Sequence, residues 1–199
     1  MGEERNPTHD PSASSHYIGD EYYRDLIQRF SDWQTDEVRI DDIVLRDTCR
    51  RLLEREAWLL EQDRLDDWLT LFAPECLYWV PASPVGGDPR HEVAIAFDDR
   101  RRLEGRVFRL GNDYAWSQVP RSRTSRIVSN VTVYGTGDDA ALMVRSNFLT
   151  TEFQAGDTRR YAGWFGHHLG RRGDGWQVFV KQVNLIDCDR NLRNPSIVL

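Results

Sequence analysis

Residues 127–153, IVSNVTVYGTGDDAALMVRSNFLTTEF, contain two apolar runs on either side of the turn-forming segment GTGDD. β-branched residues favour strands, and a short Gly- and Asp-containing segment between two such runs is typical of a hairpin. The pattern therefore predicts strands over residues 127–134 and 140–153. Two more strands are predicted at 159–169 and 175–187, separated by GRRGDG. Four strands joined in sequence by short turns predict an antiparallel meander.

Helical patterns precede these strands. Residues 41–62 begin with two aspartates, which favour a helix N-terminus, and continue with an apolar stripe at three- and four-residue steps. That stripe consists of Leu45, Cys49, Leu52 or Leu53, Ala57 and Leu60. A short helix is predicted at 66–72, short strands at 75–82 and 91–97, and a further helix within 97–110. Helices followed by a meander, without βαβ alternation, predict an α+β fold with helices packed on a curved antiparallel sheet.

The predicted domain covers residues 39–199, and residues 1–38 are predicted to form an extended N-terminal arm. Residues 1–19 are rich in Pro, Ser, His and charge, which is typical of a segment that is disordered or ordered only by a partner. Residues 20–34, DEYYRDLIQRFSDWQ, predict a short helix with many aromatic side chains. That helix would pack either on its own domain or on a neighbouring chain.

Composition narrows the class of protein. The chain has 199 residues, 40% of them hydrophobic, and a formal net charge of −6. Its arginines form short clusters beside acidic residues, so a nucleic-acid partner is not expected. No apolar stretch approaches the ~20 residues that span a bilayer. The three cysteines are far apart and odd in number, which favours a reducing, cytoplasmic location.

Motifs for cofactors and metals are missing from the sequence. We find no GxGxxG, GxxxxGK[ST] or GxSxG, and no two cysteines lie within four residues of each other. We therefore expect no catalytic residue, cofactor or metal in this chain.

Four residues are the remaining titratable candidates. His167 and His168 are adjacent on a predicted strand, so they point to opposite faces and one of them faces the interior. Either could be a hydrogen-bonded core or interface histidine, or could transfer protons. Glu56 lies close to the apolar stripe, which predicts a buried acid with an arginine partner. Lys181 is expected to be paired or to extend its amine toward solvent.

Two exposed segments are predicted to contact other subunits, because Arg and Trp are enriched at interfaces. They are the loop at 116–126, WSQVPRSRTSR, and the C-terminal segment at 190–199, RNLRNPSIVL. The candidate interface residues are Trp116, Arg121, Arg123, Arg126, Asn194 and Pro195.

Four motifs in order resemble the small (β) subunit of the aromatic-ring-hydroxylating dioxygenases, which are Rieske non-haem iron oxygenases. They are EREAWLLEQDRLDDWLTLFAPECLYWVP (54–81), DDRRRLEGRVFRL (98–110), WSQVPRSRTSRIVSNVTV (116–133) and GDGWQVFVKQVNLID (173–187). The resemblance runs from about residue 40 to residue 199.

This resemblance implies the cone-shaped α+β fold of nuclear transport factor 2 (NTF2) and ketosteroid isomerase. It also implies a Rieske-type α subunit as partner, commonly in an α3β3 hexamer. The α subunit would carry the [2Fe–2S] cluster and the mononuclear iron, with electrons supplied from NADH. The small subunit would be mainly structural. The segment YAGWFGHHLG at 161–170 departs from hydrocarbon-oxidising relatives, which leaves the substrate subgroup open, an aromatic carboxylate being one candidate.

Two alternatives stay open on the sequence alone. The chain could be a stand-alone dehydratase or isomerase of the same fold, with His167 or His168 and Glu56 as acid–base groups inside the cone. It could also be a binding module of this fold without chemistry. A deep pocket with a His–carboxylate pair would favour the enzyme, whereas a filled interior would contradict it.

Overall fold

A computed structural model describes residues 20–84, 88–111, 120–190, 192, 194 and 196–199. The helices in these ranges are α1 (Asp20–Phe30), α2 (Ile43–Glu61), α3 (Leu65–Leu69) and α4 (Arg100–Gly111). The strands are β1 (Arg39–Ile40), β2 (Phe72–Pro81), β3 (Ala94–Asp99), β4 (Arg123–Gly135), β5 (Ala141–Gln154), β6 (Asp157–Arg172) and β7 (Gly175–Leu185). They form one seven-stranded sheet in the order β1-β4-β5-β6-β7-β2-β3.

The meander predicted from the second half of the sequence is β4 to β7. β5 and β6 pair over their whole length, from Ala141 opposite Gly170 to Gln154 opposite Asp157. A register shift in β4 between Ser129 and Thr132 contains Asn130, whose φ is 53°, and a bulge of this kind bends a strand. β2 pairs with β7 in parallel, whereas the other strand pairs are antiparallel.

Helix α2 lies against the face of the sheet that we call the inner face. Asp42 is its N-cap, and the Asp42 carboxylate accepts hydrogen bonds from the backbone N–H groups of Val44 and Leu45 at 2.8 and 3.0 Å. The predicted start at residue 41 is therefore two residues early, because Asp41 and Asp42 precede the first turn. The buried side of α2 includes Cys49 and Leu53, which join the main core with residues of α3, α4 and the sheet.

Helix α1 covers part of the opposite face, which we call the outer face. Leu26 packs with Leu77, Trp79 and Val180, which alternate along their strands with residues of the main core. The aromatic helix therefore packs on its own chain. The predicted division at residue 38 stays a proposal, and residues 1–19 lie outside the described ranges.

One predicted loop is partly a strand. β4 begins at Arg123 rather than at residue 127, because residues 123–126 pair with residues 150–153 of β5. Three arginines in six residues favoured a loop. However, Arg123 and Arg126 point to opposite faces at the end of the sheet, where charged groups reach solvent or polar partners.

Candidate functional site

A buried polar cluster lies on the inner face, where Glu56 of α2 meets side chains of β6 and β7. The Lys181 Nζ lies 2.8 Å from Glu56 Oε1, and the Trp68 indole N–H donates to the same oxygen at 3.0 Å. His167 Nε2 lies 3.5 Å from the other oxygen of Glu56. His167 and Lys181 are directly opposite each other on neighbouring strands, which brings both side chains to one point.

This cluster corrects one prediction. Glu56 is buried as predicted, but its charged partner is Lys181 and not an arginine. Of the two adjacent histidines, His167 faces the interior and is fully buried, whereas His168 lies on the outer face beside α1.

Charge in the cluster is concentrated on the Lys181–Glu56 pair. Burial alone would raise the pKa of Glu56, but the Lys181 ammonium and then His167 lower it, so this pKa lies well below its usual range. Burial lowers the pKa of His167 despite the nearby carboxylate. His167 is therefore neutral at pH 7. Its Nε2 faces the second Glu56 oxygen at 3.5 Å, and its Nδ1 makes no hydrogen bond within the described part of the chain.

The interior leaves almost no room beside this cluster. The adjoining cavity has a volume of about 10 Å³ and is lined by Glu56, Phe165, Lys181 and Leu199, among others. A volume of ~10–15 Å³ holds one water molecule. A His–carboxylate pair is thus present, but the described residues leave beside it less space than an organic substrate would need.

Residues 196–199, which we call the tail, close one end of the interior. Tyr78 and Leu199 are joined by two contacts, since the Leu199 backbone N–H donates to the Tyr78 hydroxyl at 3.0 Å and that hydroxyl lies 3.4 Å from the Leu199 carbonyl. The carbonyl of Val198 accepts from Arg126 Nη2 at 2.6 Å. Ile197, Val198 and Leu199 are all buried. We call this end of the interior the mouth.

Glu152 joins the segments that meet at the mouth. Its carboxylate, 0% exposed, accepts hydrogen bonds from Ser122 Oγ at 2.6 Å, Asn194 Nδ2 at 2.6 Å and the Tyr161 hydroxyl at 2.9 Å. Burial opposes the charged form, but these three donors and Arg159 lower the pKa of Glu152. Sequence reasoning missed Glu152. The available signal was its position on the inward-facing side of β5, opposite a strand that carries Tyr161 and Arg159.

The predicted interface residues fall into two places. Arg121 pairs with Asp63, Arg126 binds the tail, and Asn194 binds Glu152, so these three lie around the mouth. A surface pocket of about 70 Å³ there is lined by Arg121 and Arg126 together with Asp63, Leu110 and Val198. Arg123 instead lies on the outer face, with its guanidinium 4.9 Å from the Phe153 ring centroid. Trp116 and Pro195 lie outside the described residues.

Metal ligands are not grouped in the part of the chain that the structure describes, where no cluster of three or more His, Cys, Asp or Glu side chains could hold an ion. Among the described helices, none has the length and apolar character needed to cross a membrane.

Most of this chain matches a known protein family. Residues 55–189 match the family described as the ring hydroxylating beta subunit.

The chain belongs to this family.

Relatives that are named as dioxygenase subunits support this family assignment. The small oxygenase component of the p-cumate 2,3-dioxygenase system of Pseudomonas putida is 33% identical over 148 residues, covering 73% of this chain and 81% of that protein. The benzoate 1,2-dioxygenase subunit beta of Acinetobacter baylyi is 29% identical over 149 residues, covering 72% of this chain and 88% of the relative. The resemblance drawn from the four sequence motifs is confirmed, and the chain is a ring-hydroxylating dioxygenase β subunit.

Solved structures support the same fold. The beta subunit of benzoate 1,2-dioxygenase from Burkholderia mallei superposes with a TM-score of 0.59 at 26% identity, over 69% of this chain and 87% of that one. Naphthalene 1,2-dioxygenase gives a TM-score of 0.67 at 20% identity, over 86% and 89% of the two chains. An NTF2-like protein from Novosphingobium aromaticivorans gives 0.52 at 14% identity, over 74% and 92%. The predicted NTF2-like α+β fold is confirmed.

Proposed function

We propose that this β subunit is a structural partner of a Rieske-type α subunit, and that the two form an α3β3 oxygenase in the cytoplasm. The α subunit would carry the [2Fe–2S] cluster and the mononuclear iron, and this chain would contribute no catalytic residue. The observation that carries the proposal is the filled interior. The cavity beside Glu56 and Lys181 holds no more than a water molecule, and the tail closes the mouth. The cytoplasmic location is supported by Cys49, Cys76 and Cys188, which are buried free thiols.

Contact with the α subunit is proposed at the mouth and at the β4 edge beside it. Arg121, Arg126 and Asn194 lie there in the structure, Arg123 begins β4, and Trp116 and Pro195 are neighbours of these residues in sequence. Arg and Trp supply much of the binding energy of protein interfaces. Arg126 also links the tail to the sheet, so the same residue would support both the fold and the contact.

An aromatic carboxylate is the proposed substrate class of the complete oxygenase. The support is that four relatives are named for p-cumate, benzoate, 2-halobenzoate and toluate dioxygenases. Oxygen uptake by the purified complex with reductase and NADH should be faster with benzoate than with naphthalene. The reverse order would contradict this substrate class and leave the subunit assignment unchanged.

The decisive experiment is purification of the tagged chain from its native host. We expect a heavier chain to copurify with it, and the complex to have the native mass of a hexamer and to contain iron and acid-labile sulfide. The tagged chain on its own should bind no iron and show no turnover. A colourless homo-oligomer without a second chain would refute the proposal.

A stand-alone dehydratase or isomerase is the weaker assignment, although Glu56 and His167 do lie 3.5 Å apart. Proton transfer needs a substrate within hydrogen-bond reach of the base, and Phe165, Leu199 and other side chains occupy that space.

A further inference from the structure

The outer face of the sheet is covered by α1 over only one half. Trp33, which follows α1, packs on Tyr134 and Met143, and Arg29 of α1 reaches His168. Beyond these contacts, the strands continue without a covering helix among the described residues. We call this region the free half of the outer face. Its outward-facing residues are Arg123, Ser125, Ile127 and Ser129 of β4, Arg145, Asn147, Leu149, Thr151 and Phe153 of β5, Thr158, Arg160, Ala162 and Trp164 of β6, and Ile186.

An apolar row crosses the free half from strand to strand. Ile127 is opposite Leu149, Leu149 is opposite Ala162, and the Ile186 backbone N–H donates to the Ala162 carbonyl. Directly opposite residues lie on the same face of a sheet. The row therefore presents four aliphatic side chains side by side.

These side chains are unusually exposed for their size. Ile127 is 57% exposed, Leu149 37% and Ile186 77%, and Phe153 on the same face is 38% exposed. At strand spacings of ~4.8 Å and ~3.4 Å per residue, the region from Ile127 to Ile186 and from Asn147 to Phe153 measures roughly 14 Å by 20 Å. Exposed apolar side chains that are grouped on one face and rimmed by polar residues are a feature of interaction sites.

All the charged side chains of the free half are positive. Arg123 stacks on Phe153, Arg145 stacks on Trp164 with its guanidinium 5.2 Å from the ring centroid, and Arg160 is exposed. None of the outward-facing residues of the free half is acidic, although the whole chain has a net charge of −6. The patch is thus apolar at its centre and basic around it.

We infer that the free half of the outer face binds an apolar surface flanked by carboxylates on the α subunit. This inference rests on the proposed function and extends it, because it adds a second contact surface beyond the mouth and states its chemistry. Arg123 connects the two surfaces, since it begins β4 beside the mouth and lies on the outer face. A patch of this size is smaller than the ~800 Å² that each partner contributes to a standard interface, so it would form the centre of a larger contact.

A two-fold contact between two copies of this chain does not fit the same patch. A two-fold symmetric contact would bring the free halves of two copies together. Each copy would contribute its three arginines and no carboxylate, so six arginines would be buried together. Buried charge without a partner is costly. A partner with acidic residues around an apolar centre removes that cost.

The test is coexpression of tagged variants with the heavier chain that copurifies with the wild type. In Ile127→Glu/Leu149→Glu, two acids replace the centre of the apolar row, and recovery of the heavier chain should fall at least about tenfold. The matched control is Val93→Glu, because Val93 is 80% exposed and precedes β3 at the far edge of the sheet. The control should recover the heavier chain as the wild type does. Unchanged circular dichroism and thermal midpoints would show that the variants fold.

Charge is tested separately. Arg160→Glu should also reduce recovery of the heavier chain. Raising NaCl from about 0.1 M to about 1 M should weaken wild-type capture, since the Debye length falls from ~10 Å to ~3 Å.

The outcomes distinguish this inference from the proposed function. If the wild type and the double variant capture the heavier chain equally, the inference is wrong and the proposed function stands. If the wild type captures no heavier chain, the proposed function fails and the inference fails with it. If the double variant keeps capture but changes a homo-oligomer of the isolated chain into monomers in analytical ultracentrifugation, the patch is a self-contact and the inference is overturned.

Discussion

At the scale of single residues, the Lys181–Glu56 pair is the most consequential contact of the interior. Both side chains are almost fully buried, and the carboxylate also accepts the Trp68 indole N–H. A buried pair of this kind need not be more stabilising than an apolar pair of equal volume. Its importance is that either charge left alone in the interior is costly.

We expect Lys181→Met to lower the free energy of unfolding at pH 7 by about 3–5 kcal/mol, because Glu56 then lies buried without its cation. The measurement is urea denaturation followed by tryptophan fluorescence. Glu56→Gln/Lys181→Met removes both charges and should recover most of the loss. Equal loss in the single and double variants would show that packing, and not charge, accounts for the effect.

At the scale of elements, α1 is attached to the sheet partly through a titratable contact. Arg29 Nη1 lies 2.8 Å from His168 Nε2, which requires a neutral acceptor nitrogen. Burial, with the Arg29 charge, lowers the pKa of His168 to about 4. Protonation of His168 would therefore place two cations together under α1.

We expect this contact to make stability decrease as the pH falls from about 6.5 to about 4. The folded chain holds His168 neutral while the unfolded chain takes up a proton, so the free energy of unfolding falls by up to roughly 3 kcal/mol over this window. The hydrogen-exchange protection factors of residues 20–30, which correct for the pH dependence of the intrinsic exchange rate, should fall in parallel. His168→Gln keeps an acceptor for Arg29 without titrating, and the protection factors of its α1 should be much less dependent on pH.

Strands β6 and β7 approach too closely at Gly163 for any side chain. A Cβ atom there would lie 1.9 Å from the backbone oxygen of Asn184, whereas a Cβ at Gly175 would meet nothing within 4 Å. We expect Gly163→Ala to cost at least about 3 kcal/mol in calorimetric or urea unfolding, because backbone atoms must move. Gly175→Ala is the control and should change stability by less than about 1 kcal/mol. A mild effect of Gly163→Ala would mean that the two strands separate easily at this point.

The accuracy of the sequence prediction differs from element to element for physical reasons. The strands from Ile127 onward follow from local alternation and turn residues, and α2 follows from its apolar stripe, so both were predicted within a few residues. The partner of Glu56 was missed because it depends on how β7 pairs with β6, which is far from α2 in sequence. The burial of the tail was missed because SIVL is too short to show a period. The polar contacts around Glu152 were missed because they also depend on which segments, far apart in the sequence, lie side by side in the fold.

At the scale of the whole molecule, the tail completes the interior that the helices and sheet leave open. Leu199 is 1% exposed and lines the cavity beside Glu56 and Lys181. It is therefore a core residue, although it lies outside the helices and strands.

We expect Leu199→Ala to lower the free energy of unfolding by about 2–5 kcal/mol, as other buried Leu→Ala changes do. Ile186→Ala is the matched control, because Ile186 is 77% exposed, and it should stay within about 0.5 kcal/mol of the wild type. Urea unfolding measures both. If the two variants were equally stable, the tail would not be part of the core.

The parallel pairing of β2 with β7 has a consequence for synthesis on the ribosome. About ninety residues separate the end of β2 from the start of β7, and at roughly 5–20 residues per second the ribosome needs roughly 5 to 20 seconds to make them. During that interval α2, β2 and β3 exist without the central strands that bury their apolar sides. Nascent chains of this protein therefore expose hydrophobic surface for seconds, an interval that slower elongation lengthens and faster elongation shortens.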